Sequence, residues 1–299
     1  MSEDDLPDDS GQLLAAFRLT RPVALQWLVA STAGFVLALY LFGTALEAVH
    51  GGSLEPVVVS VGSPPHLLGW IVAVAVVVVA VVVPHELVHG LFMARYGARP
   101  EYGVGVSHLV PYAYARTEGA SYTRNQMLVV LLSPLVALSL VGLGLLAVVP
   151  SPLVVLALAA NAAGSVGDLW MAALLCRYPP EVRVGELPDG ADGIGVYGAP
   201  GAGERRVDSP ALLAFGTGAV TTLVAILAGL FVLVAGSLAF ASGTVVLGDP
   251  DGRWFLFRHE LVADGRGALL EVGFPLLLAL SAAGGAVWAV LATAARRLA

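Results

Sequence analysis

The feature that most limits what this chain can fold into is a set of long apolar stretches almost free of charge. Leu67 to Val83 runs seventeen residues without one ionisable side chain. A hydrocarbon core about 30 Å thick takes about 20 helical residues to cross. Six stretches meet that length: Val23–Ala48, Leu67–Tyr96, Met127–Val149, Leu153–Leu175, Ala211–Phe240 and Val272–Leu291. Inside lipid, backbone polar groups must pair within the segment, which leaves helices as the economical solution. The expectation is therefore an all-α integral membrane protein of about six transmembrane helices. Only Pro150, Ser151 and Pro152 separate the third stretch from the fourth, so these two form a tight antiparallel pair.

Composition agrees. The 299 residues are 58% hydrophobic and 12% charged, with mean hydropathy +0.84, outside the range of soluble globular chains. All 15 basic residues are arginine, and the net charge of -7 with no basic cluster argues against a nucleic-acid partner. Cys176 is the only cysteine, which excludes an internal disulfide and a Cys-rich metal site. The acidic start, Ser2 to Ser10, is unlike the basic opening of a signal peptide, so the first stretch is expected to stay in the mature protein.

Arginine placement sets orientation, because cytoplasmic connections retain positive charge. Twelve arginines fall on one side: Arg18, Arg21, Arg95, Arg99, Arg116, Arg124, Arg177, Arg183, Arg205, Arg206, Arg296 and Arg297. Arg253, Arg258 and Arg266 fall on the other. Both termini are expected in the cytoplasm of a multi-pass cell-membrane protein. The expected divisions are an acidic tail (1–22), a membrane core of four spans (23–175), a Gly/Pro-rich cytoplasmic loop or small extramembrane element (176–210), and two last spans with an outside loop (211–299).

At the end of the second span, His85-Glu86-Leu87-Val88-His89 spells H-E-x-x-H. Helix positions i and i+4 share a face, so His85 and His89 can offer two nitrogens to one tetrahedral zinc. Glu86 then stands beside the metal, where a carboxylate can take a proton from a water and return it to a leaving amine. With 6 His and 11 Glu in the chain, chance yields this pattern in roughly half a per cent of such sequences. Ionisable groups cost on the order of 3 kcal/mol each inside a bilayer, so three within five residues call for a partner. The competing reading is a solvated helix end just outside the membrane. Pro84, directly before the motif, removes a helical hydrogen bond and kinks or loosens the span.

A catalytic zinc takes three protein ligands and leaves one position open. Asp168 is the chosen third ligand. It is the only acid in the fourth span and lies nine residues before Arg177, while His89 lies six before Arg95. At 1.5 Å per residue, both sit roughly 9 to 14 Å inside the same boundary. Asn161, Ser165 and Asp168 share a helical stripe with Gly164 and Gly167 beside it. Asn161 is a candidate to hold a substrate carbonyl or oxyanion, or equally a structural link between spans. His108, Glu101 and Glu118 are competing ligands in the next connection. His259-Glu260-Leu261-Val262 repeats the start of the motif, but Ala263 stands where the second histidine belongs. His50 and His66 read as ordinary interfacial histidines.

From Leu67 to Arg177 the chain resembles site-2-protease-like intramembrane zinc metalloproteases, and more narrowly the zincin peptidase family of bacteria and archaea. The resemblance rests on HELVH at His85 to His89 within an apolar span and on Gly167-Asp168 two spans later. It implies a zinc-dependent intramembrane endopeptidase acting on membrane protein or peptide substrates, with Glu86 catalytic and His85, His89 and Asp168 on Zn2+. Those proteases carry the later aspartate in a Leu-Asp-Gly type motif; here Gly precedes Asp168 and Leu169 follows. The likeness also gives meaning to Glu101 through Arg124. Tyr102, Val104, Val106 and His108 alternate with Gly103, Gly105 and Ser107, a strand period, and Pro111 to Ala115 offers a second strand. A short β-hairpin beside the active site could receive an unwound substrate by strand addition; a plain loop with tyrosines at the headgroups is the alternative. Two other classes of function fit less well: a non-catalytic metal-binding or regulatory membrane protein, for which Glu86 would be unnecessary, and an ion-coupled transporter, whose ionisable groups would line a route instead of clustering at one depth.

Overall fold

A computed structural model of the chain describes residues 11–51, 57–60, 64–107, 110–188, 193–199, 210–240, 242–252, 254–261 and 267–298. It is 67% helical. The six expected stretches correspond one to one with six helices long and apolar enough to span a membrane. These are α1 (Arg21–His50), α2 (Pro64–Arg95), α3 (Arg124–Val148), α4 (Pro152–Gly164) continued by α5 (Val166–Leu175), α6 (Pro210–Phe240) and α7 (Phe274–Leu298). Val-rich runs such as that in α2 lean towards strand when half-buried. Here the uncharged run is far longer than a strand, and the helical ladder satisfies its backbone locally.

The all-α expectation needs correction. The described residues hold ten strands in three sheets. They are β1 (Gln12–Arg18), β2 (Val57–Ser60), β3 (Glu101–Ser107), β4 (Val110–Arg116), β5 (Ser121–Thr123), β6 (Arg183–Gly185), β7 (Gly193–Gly198), β8 (Val245–Leu247), β9 (Phe257–Leu261) and β10 (Gly267–Val272). One sheet runs β1-β7-β6-β5 and another β2-β10-β9-β8, while β3 and β4 form a two-stranded hairpin. Three of these strands, β5, β6 and β8, have only three residues each, too few for a period to register in sequence. Other partners are distant: Gln12 of β1 pairs with Gly198 of β7.

The chain divides into two compact units. The first comprises Met1–Ser31, Ala80–Gly144 and Ala160–Val207. Its core gathers Met127, Val130, Leu175, Val182, Val184 and Val196, which seats the end of α5 among residues of β6 and β7. Arg124 adds a clasp, donating from Nη1 to the Tyr178 carbonyl at 2.7 Å. The second unit comprises Thr32–Val79, Leu145–Ala159 and Asp208–Ala299. Ala33, Leu223 and Leu277 form its buried centre. There α6 and α7 approach closely, since a Cβ on Gly285 would lie 2.7 Å from the Phe215 carbonyl oxygen.

Leu175 has no exposed surface, so Leu175→Ala is expected to cost about 2–5 kcal/mol through lost burial and a residual cavity. Unfolding of the detergent-solubilised chain measures this. Leu169→Ala, at a position 42% exposed, serves as the control with a much smaller loss.

Candidate metal centre

The site is assembled within the first unit from α2, α3, α4 and α5. One turn of α2 separates His85 from His89, and their rings lie 4.9 Å apart between centroids. The α4–α5 segment returns Asp168 to the same place. His85 Nε2 is 3.2 Å from Asp168 Oδ2, and His89 Nε2 is 3.5 Å from Asp168 Oδ1. Among the described residues, these three offer ligand atoms all within 4.8 Å of one another. Both histidines are buried, at 7% and 8% exposed.

The other nitrogen of each ring is occupied. His89 Nδ1 lies 2.8 Å from the Val130 carbonyl oxygen of α3. A carbonyl only accepts, so Nδ1 carries the proton and Nε2 keeps its lone pair. His85 Nδ1 lies 3.0 Å from Asn161 Oδ1. With both rings neutral and protonated at Nδ1, two imidazole lone pairs and a carboxylate converge, acceptor against acceptor. A cation resolves that conflict. Tetrahedral zinc with bonds of about 2.0–2.1 Å would set its ligand atoms about 3.3 Å apart, between the two spacings found. The donor set suits zinc: imidazole and carboxylate with the outer ring nitrogens anchored.

Glu86 is half-buried beside the histidines. It borders a cavity of about 200 Å³ lined by Val81, Val82, His85, Ala113, Asn161 and Gly164 among others. The Ala115 backbone of β4 stands beside its carboxylate. The hairpin reaches this position through a small residue: a Cβ on Gly90 would fall within the Tyr102 side chain of β3. Gly90→Leu is expected to push the hairpin away. Metal uptake should be unaffected, because the three candidate ligand groups lie on α2 and α5, which elemental analysis beside the wild type checks.

The competing ligands are elsewhere. Glu101 and Glu118 both pair with Arg116, each at 3.8 Å. His259 belongs to the second unit, on β9, and donates from Nδ1 to the Gly243 carbonyl at 2.8 Å. Its neighbour Glu260 accepts from Arg258 at 2.9 Å, and that guanidinium holds the Glu260 carboxyl below its ordinary range. His50 donates from Nε2 to the Leu146 carbonyl at 2.8 Å. His108 and the side chain of His66 lie outside the described residues. Val130, Ser133 and Pro134 of α3, which support the site, escaped the sequence reading. The available signal was a proline inside an apolar span, which frees a carbonyl one turn earlier.

Fold and site together define a multi-helical protein with two histidines one turn apart on one helix and a carboxylate from a later helix. Residues 78–183, from within α2 to the start of β6, match the family described as putative zincin peptidase. No curated protein matches the chain, and no solved structure does.

Proposed function

We propose that this chain is a zinc-dependent intramembrane endopeptidase that hydrolyses peptide bonds of membrane-associated substrates. The observation carrying the proposal is the convergence of His85 Nε2, His89 Nε2 and the Asp168 carboxylate, with Glu86 on the adjoining cavity. His85, His89 and Asp168 hold the metal. Zinc bound there supplies Lewis acidity, polarising the scissile carbonyl and acidifying a water. Glu86 takes the proton from that water and delivers it to the departing amine.

Substrate alignment falls to the hairpin. β3 and β4 pair only with each other among the described residues, so an unwound segment can add along a free edge and present its peptide bond in extended form. Val81, Val82, Ala113 and Ala160 line the cavity, which suits an apolar side chain next to the scissile bond. The bilayer setting is supported by six sufficiently long apolar helices, and the arginine bias favours a site towards the cytoplasmic face with both termini on that side.

The test is incubation of the detergent-purified chain with a set of apolar helical peptides, with products read by mass spectrometry. Cleavage should stop when 1,10-phenanthroline strips the metal and return when zinc is added back. Cleavage that persists without metal, or no cleavage across the set by zinc-loaded protein, would contradict the proposal.

A further inference from the structure

Resting on the metal-site reading above, we infer that Asn161 and Pro134 are positioning residues that together hold both imidazoles with their Nε2 lone pairs turned to the metal position. Asn161 Nδ2 lies 3.4 Å from the Pro134 carbonyl oxygen. That oxygen only accepts, so the amide nitrogen faces it and Oδ1 faces His85. His85 Nδ1, 3.0 Å from Oδ1, must then carry the proton.

Pro134 acts on the second histidine through what it lacks. A residue at 134 inside α3 would ordinarily donate its N–H to the carbonyl of residue 130, four places earlier. Proline has no N–H. The Val130 carbonyl is left to accept from His89 Nδ1 at 2.8 Å and from Ser133 Oγ at 2.9 Å. Both lone pairs are filled, and an N–H restored at 134 would be a third donor competing for them. Pro134 and Asn161 are nearly inaccessible to solvent, so water does not readily stand in for either. One proline thus aims two histidines: its carbonyl sets the first by way of Asn161, and its missing proton sets the second. With its oxygen on His85 and its nitrogen on the Pro134 carbonyl, the Asn161 amide is placed to hold His85.

Zinc affinity reads this role directly, because an oxyanion donor would leave it unchanged. The dissociation constant is measured by chelator competition on the full chain in detergent, for wild type, Asn161→Leu, Asn161→Asp and Pro134→Ala. Asn161→Leu and Pro134→Ala should each weaken zinc about 10- to 100-fold, as loss of an outer-shell partner does. Asn161→Asp still accepts from His85 Nδ1 but sets a carboxylate oxygen against the Pro134 carbonyl, so its affinity should fall between wild type and Asn161→Leu. Unaltered affinity in both Asn161→Leu and Pro134→Ala would overturn the inference. Nitrogen-15 NMR of the imidazoles in the metal-free wild type, above the imidazole titration range, decides it without any variant: both rings protonated at Nδ1 supports it, and either ring deprotonated there overturns it. A wild type that takes up no zinc would defeat the zinc reading and leave the tautomer result to stand on its own.

Discussion

On the proposed mechanism, Glu86→Gln is expected to lower peptide hydrolysis about 10²- to 10⁴-fold, the range of a general base, and to leave zinc at one per chain. The amide has nearly the shape of the carboxylate, so the cavity beside His85 and the Ala115 contact change little. What is lost is the ability to take a proton from water. Glu86 is not among the three converging ligand groups, which is why metal and activity separate. Single-turnover product formation and elemental analysis on one preparation test this. Cleavage at the wild-type rate would remove Glu86 from the reaction; zinc lost together with activity would mean that it helps to hold the metal.

Asp168→Ala has the opposite signature. Its two carboxylate oxygens face His85 Nε2 and His89 Nε2 at 3.2 and 3.5 Å, so truncation removes one of three ligands and leaves two lone pairs facing each other across the gap. Zinc affinity should fall by more than the roughly 100-fold upper range for an outer-shell partner, and hydrolysis should fall with it. Chelator competition gives the number. Zinc binding unchanged in Asp168→Ala would show that another group completes the site.

Much of this arrangement is legible in the sequence because its signals are local or carry a fixed period. Apolar length marks the six helices, as in the uncharged run from Leu67 to Val83. The alternation from Tyr102 onward marks β3, which pairs with β4 from Glu101–Arg116 to Ser107–Val110. The i, i+4 spacing puts His85 and His89 on one face. Asp168 stands out as a lone acid in an apolar span, and the counting of residues to the flanking arginines levels it with His89.

The features that escape are non-local or lie in the backbone. β1 pairs with β7 across most of the chain length, a partnership no local pattern announces, and β6 has three residues, Arg183–Gly185, too few to show a period. The Val130 carbonyl is invisible to any reading of side-chain types. It becomes a partner for His89 only because α3 passes α2 and Pro134 withholds an N–H. Asn161 was visible as polar, but two roles stayed open. The choice between them depends on which atoms its amide meets, 3.0 Å from His85 and 3.4 Å from Pro134.

The most direct test of the central claim is metal content per chain, by elemental analysis, on detergent-purified wild type and a His85→Ala, His89→Ala double variant, neither exposed to chelator. One zinc in the wild type and none in the variant is the predicted result. A folded wild type without zinc, or a variant that keeps it, would contradict the account.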